Sequence, residues 1–161
     1  MSEDLIARII RGAAAGLVGT FALQGSRGSS QKLLPETMPP IREDPGEFMV
    51  EQVEEVLPAE TREQVPGFAE VVAAKSLAVG YGMTAGALYA ALRPDAGDLV
   101  VDGVALGVST WAAGYLGWMP TLGLMPPITE QDAAQVAGPI VQHVLFGIVT
   151  VTIYEWLHER M

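Results

Sequence analysis

Three stretches of this chain carry no Asp, Glu, Lys or Arg: Ser76 to Leu92, Gly103 to Thr129 and Ala133 to Tyr154. A hydrocarbon core of about 30 Å is crossed by roughly 20 apolar helical residues, and charge-free runs of about 18 or more are candidates to do so. Inside lipid a segment must satisfy its own backbone polar groups, which a helix does without help. The runs therefore predict an all-α, polytopic membrane protein; the alternative is a soluble bundle of unusually apolar helices. The average composition hides this division, because half of the 161 residues are hydrophobic and the mean hydropathy is only +0.31. The charges are crowded elsewhere.

Four spans in one membrane domain, 1–161, are expected at about 5–24, 68–92, 99–119 and 133–157. The first contains Arg8 and Arg11 near one end, where long side chains reach the headgroups with their stems buried. Its glycines Gly12, Gly16 and Gly19 share one helical face. Small residues four apart let helix backbones approach closely. The same signature recurs as Gly82 and Gly86 in the second span, as Gly103, Gly107, Thr110 and Gly114 in the third, and at Gly147 in the fourth. Trp111, Tyr115 and Trp118 form an aromatic row read as packing or interfacial anchoring rather than a cofactor box. Asp95 to Asp98 reads as a tight turn, which makes spans two and three antiparallel neighbours. Glu3 and Asp4 argue against a cleaved signal peptide, which needs a basic start.

Between the first two spans lies an acidic loop, about 26–67. From Gly25 to Ala69 nine acidic residues face four basic ones (Arg27, Lys32, Arg42 and Arg62), a local excess of five negative charges in a chain of net charge -10. This balance argues against nucleic acid, whose phosphates need a basic surface. Within the loop, Asp44 as N-cap, Pro45 at the first helical position and Glu47 three residues after the cap start a short amphipathic helix. Phe48, Met49, Val53, Val56 and Leu57 supply its apolar side, and the helix ends before Pro58. Its acidic polar face suits packing on the bundle or a partner better than anionic lipid.

Trp118 to Pro127, WMPTLGLMPP, joins the last two spans. Pro120, Pro126 and Pro127 remove backbone donors and disfavour helix before them, so the third helix is expected to stop near Met119. With Gly123 between the prolines and no charge before Glu130, the segment predicts a shallow, folded-back hairpin.

The ionisable residues within or near the spans define a candidate polar site: His143, Asp102, Glu155 and Lys75. His143 lies mid-span, on one face with Gly147, Thr150 and Tyr154, and must be hydrogen-bonded or face a cavity. A carbonyl or hydroxyl on another helix is its expected partner. Asp102 lies about one turn inside its span and is expected to pair or meet water, while Lys75 and Glu155 lie near span ends. Fifteen residues, roughly 22 Å of helix, separate His143 from His158, so the two cannot hold one metal or haem within a chain. The chain has no cysteine. Ser76 and Ser109 have no evident base, and no phosphate-binding glycine loop is present. The expectation is therefore no enzyme, no cofactor and no metal, and a bilayer protein with a homo-oligomeric or membrane-protein partner open. The functional alternatives are a structural or stress-related membrane component, a proton or ion conductor using His143 and Asp102, and an accessory subunit of a larger complex.

The run PTLGLMPP, Pro120 to Pro127, followed by His143 and then Tyr154-Glu155 near the end of the last helix, resembles the YagU-like inner-membrane proteins, small bacterial multi-pass proteins grouped as a domain of unknown function. The resemblance covers about Gly103 to Glu159. It implies a cytoplasmic-membrane protein, loosely associated in that family with acid tolerance, and supplies no reaction. Four spans place both termini on one side, with Arg8, Arg11, Arg93 and Arg160, which the positive-inside rule makes cytoplasmic.

Overall fold

The computed structural model describes residues 3–58, 60, 66–93 and 97–160; the connection expected at 95–98 falls partly outside them. The described residues form helices and loops, without strands. We label the helices α1 (Glu3–Leu33), α2 (Pro45–Glu55), α3 (Gly67–Leu92), α4 (Leu99–Ala112, continued to Thr121) and α5 (Ala133–Arg160). Among the described residues, α1, α3, α4 and α5 are long and apolar enough to cross a membrane, and they point to a membrane protein. Large apolar side chains such as Ile10, Phe21, Val72, Leu88 and Val141 are exposed around the bundle, as lipid-facing side chains would be.

The glycine rows decide which helices touch. A Cβ on Gly12 or Gly16 would overlap the backbone carbonyls of Gly86 and Gly82, so α1 and α3 lie backbone to backbone. In the same way Gly103 and Gly107 meet Ile148 and His143 of α5, and Gly147 meets Gly103. Gly19 packs on Phe146 and Thr150, joining α1 to α5. The helices thus run α3, α1, α5, α4, with α1 and α5 central. The expected pairing of spans two and three does not occur. Their glycines face other helices, and α3 meets α4 chiefly through polar contacts: Tyr81 Oη donates to Thr110 O at 3.2 Å, and Tyr89 Oη to Asp102 at 3.2 Å. Gly114 departs from its row as well. It is buried, but its nearest neighbours are side-chain atoms of Met119 and Trp118 at 3.8 and 3.9 Å, with no helix backbone against it.

Two boundaries differ from those read in the sequence. The first helix does not end near Gln24 but continues to Leu33, where Pro35 follows. At 1.5 Å per residue its 31 residues span about 46 Å, longer than a 30 Å core is thick, with Arg27 and Lys32 in its last two turns. The third helix widens into π-helix over Ala113–Trp118, kinks at Gly117, whose φ of -98° and ψ of -108° are not helical, and ends in the short turn Met119–Thr121, which takes in Pro120. Gly123, at φ +76°, then reverses the chain in the left-handed conformation that glycine allows. The hairpin is folded back as expected: Leu124 and Met125 are buried with Trp111, Tyr115 and Met119.

The acidic loop is tied to this hairpin. Arg42 N donates to Leu124 O at 2.8 Å, and Ile41 and Phe48 pack on the hairpin cluster. Asp44 caps α2 as predicted, accepting from Gly46 N at 2.9 Å and Glu47 N at 3.3 Å, and Gly46 lies against the backbone of Ala74. Val56, assigned by the pattern to the packed side, is 80% exposed.

The seam geometry makes a paired prediction. Gly107→Leu overpacks α5 and should cost about 1–3 kcal/mol, read from unfolding of the purified protein in detergent. Gly80→Leu, where a new side chain meets open space, should leave stability nearly unchanged.

Candidate functional site

The four polar candidates do not form one site. Asp102 and Glu155 lie at the end of the bundle that holds both described chain ends, whereas His143 and Lys75 line a cleft toward the other end. The ring of His143 meets Tyr115, 13 residues along the helix from Asp102, or roughly 20 Å. Between these levels the glycine seam of α4 and α5 is closed by backbone contact.

At the first end, Asp102 is buried and doubly held. Arg93 Nη2 donates to its Oδ1 at 2.6 Å, and the Tyr89 hydroxyl reaches its Oδ2. Tyr89 in turn packs edge-on against Tyr154, with ring centroids 5.6 Å apart. The expectation that Asp102 pairs is met, and the partner comes from the last residue before the short connection. Nearby, Arg8 Nη2 donates to the carbonyls of Ala90 and Ala91, closing the C-terminus of α3, where terminal carbonyls attract cations. This cluster fastens the ends of α1, α3 and α4 together.

The second end contains a cleft of about 830 Å³, a size typical of small-ligand sites. It occupies the space that α3 and α4 leave between them, walled by α1 and α5 and roofed by α2. Most of its lining is apolar, including Leu23, Met49, Leu77, Ala78, Trp118 and Phe146. Its charged side chains are Arg27, Lys75 and the capping carboxylate of Asp44. Neither cation has an ion-pair partner among the described residues. Gln142 is 4% exposed, and its amide Nε2 has no hydrogen-bond partner. A buried donor without a partner costs about 1–3 kcal/mol, and Trp111 Nε1, Thr150 Oγ1 and Tyr154 Oη share this condition.

His143 is half-buried and bonded within its own helix. Its Nδ1 lies 2.8 Å from the carbonyl of Pro139, one turn earlier, rather than reaching another helix. With the proton on Nδ1, which that carbonyl requires, the ring is fixed edge-on to Tyr115. Among the described residues no group of three or more metal-ligating side chains converges.

Sequence reasoning passed over Arg27, because it assigned residue 27 to the loop, and gave Gln142 no weight of its own. The absence of proline before Pro35 was the available sign that α1 continues past Arg27. Comparison of the chain with protein-family models, with curated proteins and with solved structures finds no match.

Two outcomes follow. Asp102→Ala leaves Arg93 and the Tyr89 hydroxyl without their acceptor and should lower stability by about 2 kcal/mol, measured by unfolding in detergent. The roof should respond to pH. Burial raises the pKa of Glu43 above 4.5, with the carboxylates of Glu51 and Glu47 adding to the effect. A carboxyl with a raised folded pKa favours the folded state when protonated, so this contribution is complete below about pH 4.5 and lost as pH rises through the raised value. Amide exchange in α2 should therefore slow on acidification, relative to other helices, and Glu43→Gln should remove that dependence.

Proposed function

We propose that this chain is a non-enzymatic, multi-pass protein of a bacterial inner membrane whose helices hold a small lipophilic ligand in the cleft beneath α2. One observation carries the reading: a cleft of about 830 Å³ with a mostly apolar lining holds Arg27 and Lys75 in its wall, neither with an ion-pair partner among the described residues. Binding sites for small molecules have this character, apolar walls with a few placed polar groups. The resemblance of Pro120–Pro127 and His143 to the YagU-like proteins supports an inner-membrane setting and a stress-related role, here acid tolerance. The arginines at the end shared by the two termini support a cytoplasmic location for that end. An accessory role beside a larger membrane protein is compatible with the same cleft.

A proton or ion conductor is the second reading, motivated by Asp102 and His143. It draws less support, because a conducting route needs adjoining polar groups, and a glycine seam separates these two.

The test is uptake of the neutral fluorophore 1-aminoanthracene, followed by energy transfer from tryptophan in nanodiscs. Saturable uptake is expected, weakened about tenfold or more by Ala78→Phe, a loss of roughly 1.4 kcal/mol of binding. Gly80→Phe, on the same helix but facing open space, should bind normally. Non-saturable uptake, or equal affinity in Ala78→Phe, would overturn the proposal.

A further inference from the structure

We infer that the ligand of the cleft is a single-chain anionic amphiphile, its acidic head held by Arg27 and Lys75 and its chain lying along Leu77, Ala78, Tyr81 and Phe146. The inference rests on the proposed reading of the cleft and names the ligand class.

The helix register brings Arg27, Lys75 and Gln142 to one level. Gly12 faces Gly86 and Gly16 faces Gly82, so each step forward along α1 is matched by one step back along α3. Continued to the cleft, this pairing puts Leu23 beside Lys75, with Arg27 one turn further out on α1. Gly19 likewise faces Phe146 and Thr150 of the antiparallel α5, which sets Gln142 and His143 near the turn of α1 that follows Leu23. Arg27, Lys75 and Gln142 all line the cleft. They lie toward the outer end of α1, whose length carries it past the hydrocarbon, while Phe146, Gly82 and Thr110 lie deeper. The cleft is therefore polar at headgroup depth and apolar below it, the gradient of an amphiphile lying parallel to the lipids.

Charge selects the sign of the head. Against the two cations stands only the Asp44 carboxylate, and its Oδ1 already accepts from Gly46 N and Glu47 N at the start of α2. His143 donates its Nδ1–H to Pro139 and packs its ring on Tyr115. A carboxylate or phosphate would accept from both cations, and hydrogen bonds to ionised partners are about twice as strong as neutral ones. The size of the space and the α2 roof, set down on Ala74 through Gly46, favour one chain over the two of a bilayer phospholipid.

The experiment uses the full chain in phosphatidylcholine nanodiscs with Trp111→Phe and Trp156→Phe, leaving Trp118 in the cleft wall as sole reporter. Quenching by 9,10-dibromostearate is compared with quenching by its methyl ester, at about pH 8, where a free carboxylate is ionised. The acid should bind about tenfold more tightly than the ester, a difference near 1.4 kcal/mol. Arg27→Gln with Lys75→Gln should erase this preference without weakening the ester, and Lys32→Gln, outside the cleft, should keep it. If the double variant does not fold, each single variant should halve the logarithm of the preference. Equal saturable binding of acid and ester, both blocked by Ala78→Phe, would overturn the anionic head and leave the cleft reading standing. Saturable binding of neither probe would overturn the cleft reading itself. Displacement of the acid by phosphatidylglycerol in the disc would overturn the single-chain assignment in favour of a bilayer lipid.

Discussion

Everything in this bundle depends on backbones that touch. Between apolar helices in lipid, hydrophobic burial gives little preference for protein over acyl chain, so close packing and interhelical hydrogen bonds must hold the helices together. Here Gly12, Gly16, Gly82 and Gly86 close one seam, and Gly103, Gly107 and Gly147 close another. Because each seam lacks side chains, neither helix of a pair can slide past the other without bringing a bulkier residue into the contact. The register across the membrane, and hence the depth of every polar group, follows from these few positions.

The seams also explain why there is a cleft. Glycine commits α1 to α3 and α4 to α5, and the remaining contact joins α1 to α5 through Gly19. Nothing comparable lies between α3 and α4, where Tyr81 and Tyr89 reach across instead. At one end that gap is filled by Arg93, Asp102 and the tyrosines Tyr89 and Tyr154. At the other it stays open beneath α2, with Arg27, Lys75 and Gln142 in its wall. One difference in packing thus divides the molecule into a fastened end and an open end.

Much of this was legible in the sequence. Charge-free runs marked the spans, the glycine rows marked the contact faces, and Asp44-Pro45 marked the start of α2. The rows could not say which face meets which, since a small-residue stripe is complementary to any other, and the short connection after Arg93 favoured the wrong pairing. Arg27 was hidden because a helix leaving the hydrocarbon becomes polar without ending. Gln142 was hidden because an amide in an apolar run is ordinary until its lack of a partner is seen. His143, the residue that most invited a role, proved to bond to its own helix, an arrangement that periodicity does not distinguish from a bond across helices.

The pairing of helices has a further consequence for how the chain is assembled as it is made. The partners α4 and α5 are joined by the brief hairpin between Thr121 and Ala133, whereas α1 must wait for α3 across the whole acidic loop. Closing a short loop costs less entropy than closing a long one. The last pair to be synthesised therefore closes its loop at the smaller entropic cost, and the seam of α1 and α3 carries the larger one.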